Sequence, residues 1–172
     1  MRKEVKAADY AEQIIKSIPK GVLVTAKVGE KVNPMTIGWG TYGTQWGKEI
    51  FVVFVRGSRY TRELLDQNPE FTINIPLGAV NKEILMVCGR ESGRDIEKVA
   101  KLGLTLEASK EISVPGIKEL PLTLECKVVF RQKQQVELID KKFVERFYPV
   151  EENGVDEHYA YYGEVVKAYI VE

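Results

Sequence analysis

The sequence predicts a mainly β domain, an antiparallel barrel closed or partly closed, with short helices between its strands. Three observations point there. Seven or eight stretches carry strand-type patterns, whereas the helix-like stretches are few and short. A doubly wound parallel sheet needs a helix after nearly every strand, and this chain has too few. No Gly-x-Gly-x-x-Gly opens a helix after a first strand, which removes the dinucleotide-binding version of that fold. The chain has 172 residues with no linker, repeat or low-complexity tract, so a single domain is expected over residues 1–172.

The elements follow in order. Residues 8–17 read as a helix with Tyr10, Ile14 and Ile15 on one side, closed by Pro19. Residues 22–27 are strand-forming, and Gly29-Glu30 makes a hairpin-like break. Residues 33–43 mix strand formers with Gly38, Gly40 and Gly43, which predicts a strand whose backbone lies close to something else. Residues 50–55 form a continuous apolar strand, and residues 62–67 a short helix stopped by Asn68-Pro69. A strand over 71–75 and a helix over 81–88 follow. Ser92-Gly93-Arg94-Asp95 has the spacing of a helix start, with Gly103 as its stop. Residues 105–121 read as irregular. Residues 122–132 alternate apolar side chains at period two, residues 136–139 suggest another strand, and 158–171 a final one.

Composition narrows the function. Twenty-five basic residues balance 25 acidic ones, and the two halves divided after Met86 carry only +3 and −3. Nucleic acid is therefore not the expected partner, since phosphate backbones call for a basic surplus. The longest apolar run is far short of a membrane span, and no secretory apolar core follows the N-terminal residues. Two cysteines, Cys88 and Cys126, make no disulfide framework and are expected in the core of a cytoplasmic protein. With a single histidine, His158, most metal sites and nucleophile triads lack their usual residues, and no metal is expected.

Four groups of residues are candidates for chemistry. Arg56, Ser58, Arg59, Tyr60 and Thr61 sit at a strand-to-helix junction, where free N–H groups, guanidinium forks and hydroxyls suit a terminal phosphate. The alternative is a solvated turn with Thr61 as a helix cap. Trp39 between Gly38 and Gly40 offers an aromatic wall for a flat ligand, with Asn33 and Thr36 at its edge; the alternative is a core tryptophan. Ser92, Arg94 and Lys98 open the predicted helix at 92–103 and form either a second anion site or a capped surface helix; the Gly-Lys-Ser/Thr core of a Walker loop is missing. His158 begins a tyrosine-rich strand and has no Gly-x-Ser-x-Gly elbow to serve.

Taken in order, residues 20–25 (Lys-Gly-Val-Leu-Val-Thr), 33–40 (Asn-Pro-Met-Thr-Ile-Gly-Trp-Gly), Arg56-x-x-Arg59-Tyr60-Thr61, Asn74-Ile75-Pro76, Ser92-Gly93-Arg94-Asp95, Leu120-Pro121-Leu122 and Tyr161-Tyr162-Gly163 resemble one family. It is the flavin reductase family of FMN-binding split barrels, in particular its flavoredoxin-like branch, and the resemblance covers residues 19–172. The resemblance implies a six-stranded split barrel forming a homodimer, with FMN held non-covalently near the dimer interface. It implies that Arg56, Ser58, Arg59, Tyr60 and Thr61 receive the FMN phosphate. Asn33, Pro34, Thr36, Trp39, Gly40 and Thr41 would run beside the isoalloxazine, with Asn74, Ser92, Arg94 and Lys98 close to the cofactor. No side chain is then needed as a catalyst, because the chemistry belongs to FMN. The expected activity is that of an oxidoreductase passing electrons from NADH, NADPH or a redox partner to a flavin, a ferric complex or a redox protein. The alternative is an FMN-binding electron carrier that oxidises no NAD(P)H itself.

Overall fold

The computed structural model describes residues 1–171; the end of the expected domain, Glu172, lies outside the described residues. Strand β1 (Arg2–Glu4) leads into a turn of 3₁₀ helix and α1 (Ala11–Ser17), and Pro19 then shapes a second 3₁₀ turn. Two hairpins follow: β2 (Val22–Val28) with β3 (Lys31–Ile37), and β4 (Gly40–Gln45) with β5 (Lys48–Arg56). After α2 (Tyr60–Gln67) come β6 (Glu70–Ile75), α3 (Lys82–Arg90) and α4 (Lys98–Leu102). A small pair, β7 (Leu106–Glu107) and β8 (Gly116–Ile117), precedes β9 (Leu122–Lys133). Helix α5 (Lys141–Phe147) and a second small pair, β10 (Val150–Glu151) and β11 (Gly154–Val155), lead to β12 (His158–Val171).

The main sheet is antiparallel and open, in the order β3-β2-β6-β9-β12-β5-β4, with β1 added on β12. It has eight strands where the resemblance implies six. One difference is local: the glycine-rich stretch at 33–43 is not one strand but two, broken at Gly38-Trp39. The close approach expected there is real, since a Cβ on Gly40 would lie 3.1 Å from the Phe51 ring and 3.2 Å from the Val52 carbonyl.

Strand β12 is the organiser. It pairs with β5 through its first half and with β9 along most of its length, shifting register at Tyr162/Gly163 and Val165/Lys167. These irregularities bend the strand so that it can serve both sides of a curved sheet. Gly163 allows the bend to pack: a Cβ there would meet the Phe71 ring at 2.4 Å. Phe51, Phe71, Ile73, Leu124 and Tyr161 fill the interior, and Cys126 lies with them. Cys88 is buried in a second cluster under α3, and both thiols are free, as their apolar settings predict.

Two sequence expectations are corrected. The segment beginning at Ser92 is a turn, and the helix starts only at Lys98; the Ser92 hydroxyl accepts from the Arg94 N–H and caps nothing longer. Residues 136–138 form a 3₁₀ turn instead of a strand, because Asp140 caps α5 immediately afterwards through the Lys142 N–H. No helix among the described residues is long and apolar enough to cross a membrane.

Candidate functional site

The junction of β5 and α2 faces β3 and the turn at 92–98, and these segments enclose a polar cavity of about 100 Å³. Helix α2 begins at Tyr60 with Arg59 at its N-cap and no side chain capping it, so its first N–H groups are open to a ligand. Thr61, which the local pattern offered as a cap, points inward instead. Its buried hydroxyl donates to Met35 Sδ and accepts from Asn33 Nδ2 at 3.0 Å. Lys98 is almost completely buried and donates to the carbonyls of Pro34 and Cys88, each at 3.0 Å. Two of its three N–H groups are thereby used. Burial holds its pKa below the ordinary lysine value. Arg94 pairs with Glu63, donates to the Ser58 carbonyl at 3.1 Å and lies over the Tyr60 ring.

Two groups in this cavity are left over. The Arg59 guanidinium makes no hydrogen bond or ion pair among the described residues, although it lines both this cavity and the next. Asn33 is 2% exposed and its Oδ1 has no partner. That oxygen lies over Gly93, where a Cβ would come within 2.0 Å of it, so only glycine fits. Turned over, the same amide accepts the Thr61 hydroxyl proton and presents Nδ2, a donor, to the cavity. The donor set is then that of an anion site.

Beyond Arg59 the cavity continues into a second of about 190 Å³, walled by Thr36, Gly38, Trp39, Phe54, Arg56 and His158. Trp39 is 40% exposed, so it is a wall of the cleft and not a core residue. Its ring stands edge-on to Phe147, with centroids 5.1 Å apart, and lies 5.1 Å from His158. Thr36 lines the wall but its hydroxyl donates to the Leu85 carbonyl at 2.7 Å. Gly40 and Thr41 continue past Trp39 into a third space, an apolar groove of about 700 Å³ that shares Gly38, Trp39 and Phe54 with the second.

Three of the expected residues have their polar groups engaged within the protein. The Arg56 guanidinium donates to the carbonyls of Asp156 (2.8 Å) and Phe147 (2.9 Å), holding the 147–156 segment onto the barrel, and the residue lines the second cavity. Ser58 gives its N–H and hydroxyl to the Asp156 carboxylate at 3.0 and 2.6 Å, so its donors are already taken. Asn74 is completely buried under the 115–123 segment and spends its amide on Ile117, Leu120 and Thr123. It lines none of the three cavities.

The sequence underweighted His158. It sits opposite Arg56 in the β12–β5 register and is 6% exposed. The Tyr148 hydroxyl donates to Gln134 Oε1 at 3.0 Å and lies 2.8 Å from His158 Nδ1. With the tyrosine proton so placed, Nδ1 carries the imidazole proton and Nε2 is an acceptor. Burial, then the neighbouring Arg56, pushes the His158 pKa down to about 4, so the ring is neutral at pH 7. The lone histidine and Arg56 were visible in the sequence; Tyr148 and Gln134, which join them, carry no motif.

The open antiparallel barrel thus carries a cationic pocket that leads to an aromatic-walled one. The chain belongs to the flavin reductase like domain family, whose pattern it matches over residues 15–172. A flavoredoxin from Methanosarcina acetivorans is 26% identical and superposes with a TM-score of 0.65, covering 88% of this chain and 68% of that one. An FMN-binding domain of a flavin reductases-like enzyme from Shewanella baltica shares the fold at 18% identity, with a TM-score of 0.69 over 99% of this chain and 77% of that one. A curated relative from Archaeoglobus fulgidus, described as uncharacterized, is 37% identical over 100 residues, 58% of this chain. That match spans only 55% of the relative's length.

Proposed function

We propose that the chain is an FMN-dependent oxidoreductase that takes electrons from NADH or NADPH and passes them through bound FMN to a second acceptor. The observation that carries this reading is the unpaired Arg59 guanidinium where a small anion pocket opens into a Trp39-walled cavity. Bound FMN supplies reversible hydride and electron transfer; the protein supplies binding, orientation and electrostatics.

The residues present fit that cofactor. Arg59, the third N–H of Lys98, the turned Asn33 amide and the α2 N-terminus would hold the phosphate, charge-assisted at two of the four. Tyr60, Thr61, Ser92 and Arg94 shape this pocket: Thr61 orients Asn33, and Arg94 fixes the 92–98 turn through Glu63. Trp39 and the Gly38 backbone would flank the ring. Arg56, pinned by two carbonyls, holds a fixed positive charge at this wall, which favours the electron-rich reduced form of a bound ring. Neutral His158 offers Nε2 as an acceptor and keeps no competing proton in the cleft at pH 7.

Purified protein should be yellow, and mixing it anaerobically with NADH or NADPH should bleach the flavin absorbance within seconds. Colour that persists until a reduced protein is added would replace this reading with that of an electron carrier, which the likeness to a flavoredoxin favours. A colourless protein with no micromolar affinity for FMN would overturn both. A cytoplasmic homodimer, proposed on the family resemblance, is checked by sedimentation velocity.

A further inference from the structure

We propose that the apolar groove beside Trp39 binds the electron acceptor, and that this acceptor is an uncharged planar quinone; the acceptor role rests on the FMN reading above. The groove measures about 700 Å³, within the roughly 300–1,000 Å³ typical of small-molecule sites. Ile15 and Ile18 from the α1 end, Phe54 from β5, and Ile139, Phe143 and Phe147 from the segment around α5 form its walls. None of its lining side chains is charged. It meets the cofactor cavity along Gly38, Trp39 and Phe54, so an occupant lies next to the ring site.

The chemistry of the lining selects the class. A ferric chelate or free FMN brings negative charge, and burying a charge against unpaired apolar walls is strongly unfavourable. Riboflavin brings a chain of hydroxyls that these walls leave unsatisfied. A quinone needs only a flat apolar slot and a donor or two for its carbonyl oxygens. Gln134 provides one: its Oε1 is engaged by Tyr148, which fixes the amide, while its Nε2 has no partner among the described residues. The Thr41 hydroxyl provides a second at the groove edge. Reduction is balanced: the quinone gains two electrons from reduced FMN and two protons, one carried with the hydride and one from solvent. The products are the hydroquinone and oxidised FMN.

The test uses the full chain with Trp46→Phe, which leaves Trp39 as the single tryptophan, with and without added FMN. Menadione should quench Trp39 fluorescence saturably at micromolar concentration, and 1,4-naphthoquinone-2-sulfonate should bind at least tenfold more weakly. Phe143 is 47% exposed on α5, so Phe143→Glu places a charge in the groove without burying it in the core. It should weaken menadione at least tenfold and leave the FMN dissociation constant unchanged. Equal binding of the two quinones, or no menadione binding while FMN is retained, overturns the groove assignment. A groove closed by a second copy of the chain gives that second result, together with a dimer that Phe143→Glu dissociates. No FMN uptake overturns the flavin reading and with it the acceptor role, whether or not menadione binds.

Discussion

Two buried polar clusters, one around Glu125 and one around Asn33, use similar side chains to opposite ends. Glu125 lies on β9, fully buried, and accepts from Arg2 at 3.0 Å and from the N–H groups of Lys110 and Glu111. Arg2 spends its other arm on the Ala108 carbonyl and lies 3.5 Å from the Tyr169 ring centroid. Nearby, Asn74 and Thr72 take up the carbonyls of Ile117, Leu120 and Pro115. The chain satisfies this carboxylate and this amide from within, although Arg2 Nε is buried without a partner, and the irregular 105–121 segment is sewn onto the sheet as a result. Around Asn33 the accounts do not close. An acceptor is orphaned and a guanidinium is free, each beside an open cavity. The difference lies in what the clusters border: Glu125 and Arg2 line none of the three cavities, whereas Asn33 and Arg59 line one.

The comparison breaks if the two clusters fail to separate stability from binding. The largest effect is expected at Glu125: Glu125→Leu leaves Arg2 and two backbone donors unpaired and should cost about 3–5 kcal/mol of stability. Chemical denaturation would show it, and FMN affinity measured under native conditions should not change. Arg59→Ala should do the reverse, weakening FMN more than tenfold, in line with the roughly 1.5–3 kcal/mol of a charge-assisted contact. Riboflavin should be affected much less, and the melting temperature not at all. Equal loss for the two flavins would remove Arg59 from the phosphate.

Gly93→Ala sits where the two logics overlap. Its methyl group would lie 2.0 Å from Asn33 Oδ1, and the resulting overpacking should cost roughly 1–3 kcal/mol. Differential scanning calorimetry should record that loss, and titration a weaker FMN complex, because Asn33 is displaced from Thr61. A last effect concerns pH. His158 falls from an ordinary pKa of 6.5 to about 4 on folding, so between those values the unfolded chain binds more protons. Stability present above pH 6.5 should therefore decline as pH falls toward 4, then level off with respect to this group. His158→Gln should flatten that part of a melting-temperature profile; an unchanged slope would place the titration elsewhere.

Legibility differed between these regions for a physical reason. The β5–α2 junction was readable because a strand end, a glycine, two arginines and a helix start lie within six residues, and local sequence fixes local backbone. Ser58, Arg59, Tyr60 and Thr61 line the first cavity and Arg56 the second, but Asp156 accepts the Ser58 donors and two carbonyls accept from Arg56. Nothing near residue 56 announces a partner a hundred positions away. The partners of Asn74 were hidden for the same reason, since two of its three acceptors, the Ile117 and Leu120 carbonyls, come from a segment that reads as irregular. Helix α5 carried too weak an apolar pattern to be noticed, and with it went the groove wall at Phe143 and Phe147.

What the sequence by itself determined was the class: period-two strands, short helices, a balanced charge and one histidine exclude most chemistries and leave an antiparallel barrel, closed or partly closed. The ordered motifs add the family. Which side chains meet was decided only by the tertiary structure, because strand register and the path of the 134–157 segment set those meetings. The His158–Arg56 pairing, the orphaned Asn33 oxygen over Gly93 and the uncharged groove beside Trp39 all arise that way. Each joins residues that are remote in the chain, and local propensity carries no information about such distances.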